Sequence, residues 1–456
     1  IREGAQASGA KGPVDFALSL SRWDTSSFSA VNYKRGAAER DGFHNWQASG
    51  RLGVALPKDG RLDFNLRWWN SDVNLDSAFV TQKFDVFGSR QTTRTLILSG
   101  TYDQPLTSWW SQRLTIAQAN ERLLFFSGTL RRNLDTGVTS SAFSSLSDIE
   151  TLNRRLEWQH NFQVGKPVLL TVGYQFREEQ GENPSIGPQA KLLSTHAGFA
   201  QARFNFQDRL LLTAGVRQDS YNVFGDATTY RVTAGYLIPE TGTKFRASYA
   251  TGFRAPTINQ LFFPGFGNPN LKPEESKSLD AGVDQRLLKD RLQVSAGYFW
   301  NRFQNLIVNV PAGALLFPQN VGQAKSQGWE VGFQYAVLKG LDLRGQYTYT
   351  LTRDLSNGTR LPRWPVHQAS VGVSYRPIES LGISLDYRYV GSRFNDTTNT
   401  QKQGSFGVVN VAVTYDVTKQ VQIFGRIENL FNQDYEEILF FGSPIRSVFG
   451  GVRISL

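Results

Sequence analysis

A chain of 456 residues with no cysteine carries neither disulfides nor thiolate metal sites. Mean hydropathy is -0.34, and no stretch reaches the roughly 18 apolar residues of a spanning helix, which excludes a helical membrane protein but not a β-barrel. The net charge of +10 is spread along the chain without a basic block, so it argues for a polar lumen or an anionic lipid surface rather than for nucleic acid.

The expected elements are all strands. In chain order they fall at 1–9, 13–22, 44–56, 61–70, 92–104, 109–121, 150–163, 167–178, 191–206, 209–221, 226–238, 242–253, 275–288, 291–304, 322–337, 341–353, 366–377, 381–393, 406–416, 420–430 and 446–456. The signal is a period of two. Val421, Ile423 and Ile427 share one face, and Gln422, Arg426 and Glu428 share the other. Ile383, Leu385, Tyr387 and Tyr389 alternate in the same way with Ser384, Asp386 and Arg388. Tyr and Trp gather near strand ends, as at Trp68, Trp69, Trp109 and Trp110. Amphipathic rings prefer the level of lipid head groups.

Short turns, such as those at Pro57, Gln207, Lys289 and Lys339, alternate with long connections. The long ones lie near 23–43, 71–91, 122–149, 179–190, 254–274, 305–321, 354–365, 394–405 and 431–445. Short turns on one side and long loops on the other define an all-β transmembrane antiparallel barrel with the long loops outside. About 21 strands are visible, and single-chain bacterial barrels have an even number, so about 22 are expected with one ahead of Ile1. Closure is required, because an open edge in lipid leaves unpaired N–H and C=O groups.

Several loop segments carry a resemblance. Gly252-Phe-Arg-Ala-Pro-Thr257 precedes Asn268-Pro-Asn-Leu-Lys-Pro-Glu-Glu275. Tyr298-Phe-Trp-Asn-Arg-Phe303, Asn320-Val-Gly-Gln-Ala-Lys325 and Glu428-Asn-Leu-Phe-Asn-Gln-Asp-Tyr435 follow. These segments resemble the TonB-dependent outer-membrane receptors, the vitamin B12 (cobalamin) receptors in particular, closely from about residue 240 to 456 and in rhythm before that. The resemblance implies that residues 1–456 form the barrel of a 22-stranded receptor whose N-terminal plug and first strand lie outside this sequence. It also implies active uptake of a cobalamin or other cobamide through TonB, with no enzymatic activity. The alternatives are a ferric siderophore or haem receptor and, from another class, a passive porin or structural barrel. Expected partners are TonB, lipopolysaccharide and outer-membrane lipid, the cobamide or metal-chelate ligand, and a substrate-capturing surface lipoprotein; nucleic acid is not expected.

Site candidates come from the outer ends. Ala255-Pro256 breaks the strand, because proline lacks an amide donor. Arg254, Phe262, Phe263 and Phe266 would then form a ligand shelf or pack against other loops. Trp23 and Trp68 are candidates to face the ligand, with Trp69 as a girdle anchor, and Phe440 is a candidate in the last loop. Asp72, Asn74 and Asp76 place oxygens at alternate positions and would begin a calcium site in an outer loop, although they fall short of a full calcium motif. No other cofactor is expected. The four histidines, His44, His160, His196 and His367, have no metal-ligand spacing. Arg217, Arg246, Arg344, Arg388, Arg426 and Glu428 are expected to line the lumen.

Overall fold

Each long strand hydrogen-bonds to the next long strand in the chain. The computed structural model, which describes residues 1–36, 40–75, 84–128, 130–133, 135–141, 146–183, 191–263, 267–312 and 315–455, shows one 21-stranded antiparallel sheet from Arg2–Lys11 to Ser447–Ile454. No ladder joins the first and last strands among the described residues. With an odd count of antiparallel neighbours, these two edges run in the same direction.

Phase along the strands decides which face meets lipid. On Arg61–Leu75 the outward side carries Leu62, Phe64, Leu66 and Trp68, and the inward side carries Arg61, Asp63, Asn65, Arg67 and Trp69. Exposed apolar side chains continue this outward band on neighbouring strands, through Phe16, Leu18 and Leu20, then Leu98, Ile116 and Leu156. Only eleven apolar residues are buried among the described ones, far fewer than a water-soluble core of this length would hold. A continuous apolar belt of this extent requires lipid.

Many charges on the inward face neutralise each other, along one strand or across to the next. Arg61 spans Asp15 (2.8 Å) and Asp63 (2.7 Å), and Arg51 adds a bridge to Asp15. Gly53 makes this possible, since a Cβ there would collide with the Arg61 guanidinium and the Asp15 carboxylate. Arg217 bonds Asp219 (2.8 Å) and Gln175 (2.8 Å), Arg246 meets Asp284 (3.3 Å), and Arg426 meets Glu428 (3.2 Å). Arg344 pairs with Asp386, and Arg388 with Glu437 (2.8 Å).

One pair of strands is longer than its sequence suggests. Leu292–Ala312 and Leu315–Leu338 stay paired well above the expected ends at 304 and 322. The ladder survives an irregularity at Asn305, whose φ is 55°, because Asn320 Nδ2 donates to the Asn305 carbonyl (2.8 Å) and Glu274 accepts from the Ile307 amide (2.8 Å). Above the barrel, Phe84–Phe87, Leu130–Asn133 and Thr139–Ser141 form a separate three-stranded sheet.

Candidate ligand site at the outer mouth

Residues that share the inward phase meet near the outer end of the first strands. Trp23 stands beside Phe43 (5.1 Å between ring centroids, near-perpendicular), and the Arg2 guanidinium lies 5.9 Å from the Trp23 ring. One row lower, Trp69 and Arg67 line a hollow of about 430 Å³ with Ser19, Ser21, Gln47 and Ser49. Arg67 makes no ion pair among the described residues. Asn45 sits between Trp23 and Ser71 in register. It is buried, and its Oδ1 finds no hydrogen-bond partner among the described residues. A buried acceptor left open is costly unless a donor arrives.

The two adjacent tryptophans take the opposite faces from those expected. Trp68 faces outward in line with Leu66 and Phe64, as part of the girdle, and Trp69 faces the lumen. Side chains alternate along a strand, so neighbours cannot share a face. Trp23 faces inward, and Phe43 and Asn45 are inward neighbours not singled out from the sequence.

The segment after Thr243–Arg254 folds onto the inner wall. Thr257 and Gln260 form a capping box that starts the short helix Ile258–Phe262. Ile258 and Leu261 pack with Leu193 and Leu271 in a small apolar cluster. Phe262 packs against that cluster, with Lys191 5.7 Å from its ring. Phe263 caps the helix end, where its amide donates to the Asn259 carbonyl (3.1 Å). Phe266 lies outside the described residues. Arg254 grips Glu274 with two hydrogen bonds, at 2.5 and 2.6 Å.

A second group of loops meets across the mouth. Val31 bridges Phe441, the Asn32 amide donates to the Phe440 carbonyl (3.0 Å), and Asn32 Nδ2 donates to Glu436 (2.7 Å). The Arg35 guanidinium sits 4.1 Å above the Phe440 ring. Phe440 is therefore engaged within a loop contact. Lys34 pairs with Asp434, and the hydrogen bond to that carboxylate, then its charge, raises the Lys34 pKa. Nearby, burial lowers the Arg393 pKa and raises that of the Tyr435 phenol. Arg393 Nη2 donates to the carbonyls of Glu436 (2.9 Å) and Glu437 (2.5 Å).

For metals, the described residues contain no group of three His, Asp or Glu placed to hold an ion. Asp72 accepts from Thr92, and the Asn74 amide donates to the Gly42 carbonyl (2.9 Å). Asp76 lies outside the described residues. All four histidines sit in outward phase: His44 bonds Asp24 (2.9 Å), Trp110 donates to His160 (3.1 Å), and His196 and His367 bond Tyr174 and Tyr347 (2.7 Å each).

A single sheet with an apolar outside, a charge-paired inside and layered outer loops defines a large transmembrane β-barrel. Residues 22–430 match the family described as TonB dependent receptor-like, beta-barrel. The chain belongs to that family, a class of outer-membrane receptors rather than enzymes. Among curated proteins it is similar to the vitamin B12 transporter BtuB of Photobacterium profundum, 29% identical over 67% of this chain and 50% of that protein. It is also similar to the BtuB of Vibrio vulnificus, 28% identical over 66% of this chain and 48% of that protein. The chain thus spans about half the length of the curated relatives it matches. Solved structures with the same fold include the siderophore receptor PirA of Acinetobacter baumannii (TM-score 0.81, 17% identity, 100% of this chain and 77% of that one). The ferric-catecholate import receptor Fiu of E. coli K12 is another (TM-score 0.80, 14% identity, 99% and 79%).

Proposed function

We propose that this chain is the barrel of an active-transport receptor that captures a large metal chelate at its outer mouth and passes it to the periplasm through a TonB-coupled plug. The observation that carries this reading is the inward patch of Trp23, Phe43 and Trp69 with the Asn45 acceptor and Arg67, neither of which has a partner among the described residues. Indole faces take flat rings, an open acceptor takes a hydroxyl or amide, and a free guanidinium takes an anion. An anionic ferric siderophore offers all three, and the names of the fold neighbours are consistent with that cargo. A haem receptor would offer an axial His or Tyr at the mouth, and all four histidines point away from the lumen.

A cobamide is the second reading, favoured by the names of the curated relatives. The plug and one further strand complete the proposal. The first and last strands run the same way with no ladder between them, so one antiparallel strand would satisfy both edges.

Tryptophan fluorescence of the purified receptor tests the cargo. A ferric catechol chelate should quench saturably at micromolar concentration or below, and cyanocobalamin should not. The reverse result would establish the cobamide reading, and silence with both would end the receptor proposal.

A further inference from the structure

We propose that a hollow in the periplasmic half of the inner wall is a second, inner seat for the cargo, taking an arm with anionic oxygens at one end and an N–H donor at the other. This rests on the reading of the chain as a receptor for an anionic metal chelate. The hollow measures about 790 Å³, a size that holds one arm of a large chelate. Its lower rim is the short turn from Pro239 to Gly242, and its floor is Ser295 and Gly332. Short turns mark the periplasmic side. The mouth patch of Trp23, Asn45 and Trp69 belongs to the early strands, so the two sites are separate.

Charge is split between the two ends of the hollow. Lys244 and Arg246 mark one end and share a single carboxylate, Asp284, at 3.4 and 3.3 Å. Glu330 marks the other end and makes no ion pair among the described residues. Arg286 and Arg344 also line the hollow, each with an acid of its own, Asp290 (3.6 Å) and Asp386.

Strand register explains the split. Arg246, Gly282, Gly297 and Glu330 stand opposite one another in one row over four strands. A Cβ at Gly282 would lie 2.8 Å from the Arg246 guanidinium carbon, and one at Gly297 3.3 Å from its Nη2. The arginine therefore lies along the wall over both glycines, toward Glu330. Neighbouring strands are about 4.8 Å apart, so three steps leave the two backbones roughly 14 Å apart, beyond the combined reach of both side chains. Arg344 shows the shorter case. It lies over Gly372 alone, where a Cβ would come 2.5 Å from its Nε, and reaches Asp386 on the next strand. One intervening glycine lets an arginine meet its acid, and two leave a gap. Among the described residues Arg246 hydrogen-bonds only through Nε, to Asp284, so both terminal nitrogens remain open. A guanidinium fork pairs with two anionic oxygens, and a lone carboxylate accepts from an amide N–H. A catecholamide arm offers both groups.

Radioiron uptake through the full receptor in intact cells tests the inner seat, because it separates the maximal rate from the half-saturating concentration. With a ferric catecholamide chelate, Lys244→Gln with Arg246→Gln should lower the maximal rate about fivefold and leave the half-saturating concentration within about twofold. Lys244→Arg with Arg246→Lys should restore most of the rate. Gly332→Val fills the floor without changing charge and should lower the rate about threefold, which keeps the test available if the double variant does not assemble. Trp69→Ala, at the mouth, should instead raise the half-saturating concentration. An unchanged maximal rate in the double variant or in Gly332→Val, or a half-saturating concentration raised as far as the rate falls, would overturn the inner seat and leave the mouth reading intact. A rise in ion conductance of the double variant in planar bilayers would assign its cations to holding the plug and would also overturn it. No uptake by the unaltered receptor would end the receptor reading, and the inner seat with it.

Discussion

The inward and outward faces of the same strands handle charge in different ways. Inward, Arg61, Arg217, Arg246 and Arg344 each find a carboxylate on the same or a nearby strand. Outward, charge is sparse in the apolar band, where Arg154 pairs with Glu178, and it returns above the band, paired at Arg122 and, among the described residues, without ion pairs in the row of Lys277, Arg302, Lys325 and Arg353. Much of the inside of the wall is finished by the chain itself. The outside is finished by its solvent, which is lipid at one height and head group at the next.

The largest expected effect comes from breaking an inward pair. Arg217→Ala would strand Asp219, which is 3% exposed, without its guanidinium. Removing one partner of a buried pair costs about 3 kcal/mol. Urea unfolding of the barrel in lipid vesicles would measure it, and a loss under about 1 kcal/mol would mean that lumenal water screens the pair. Next in size is the contrast between two adjacent rings. Trp69→Ala should weaken ligand binding about tenfold, equivalent to about 1.4 kcal/mol. Trp68→Ala should leave affinity unchanged and lower the melting temperature in membranes. Equal losses of affinity would remove the distinction between the two faces.

The loop clasp should contribute less. Lys34→Glu is expected to make the loop around residues 26–42 more sensitive to protease, and adding Asp434→Lys should restore protection. No restoration would mean that the Val31–Phe441 bridge holds the loops without the ion pair. The smallest effect concerns acid. Asp396 accepts from Thr398, from the Thr400 amide (3.0 Å) and hydroxyl (2.9 Å), and from the Gln401 amide (2.7 Å). The Thr398 hydroxyl first, and then these amides, hold its pKa well below the ordinary 3.8. A depressed carboxylate contributes stability in full above its unfolded pKa and loses it as pH falls through the folded one. Hydrogen exchange in residues 391–405 should therefore stay slow down to about pH 4 and quicken only in stronger acid. Asp396→Asn should be faster already at neutral pH.

Strand positions were legible because alternation is local. The expected spans 191–206 and 406–416 coincide with Lys191–Phe206 and Phe406–Asp416. The phase of Trp69 was legible too, since it follows Asp63, Asn65 and Arg67 at steps of two. The expectation that Trp69 anchors the girdle and Trp68 faces the ligand does not follow that phase, and the strand register gives the opposite faces. The row of four cations was not legible, because Lys277, Arg302, Lys325 and Arg353 are neighbours only through the register of three hairpins.

The sequence by itself determined a wall of alternating strands, greasy on one side and charged on the other, since a period of two needs no distant contact to be written. It also marked the short-turn and long-loop ends. The tertiary structure alone decided which residues meet: the pairing of Val31 with Phe441 across some four hundred residues, the docking of Ile258–Phe262 on Leu193, and the alignment of like charges. Such meetings depend on register and on loop closure over long separations, which local pattern does not encode.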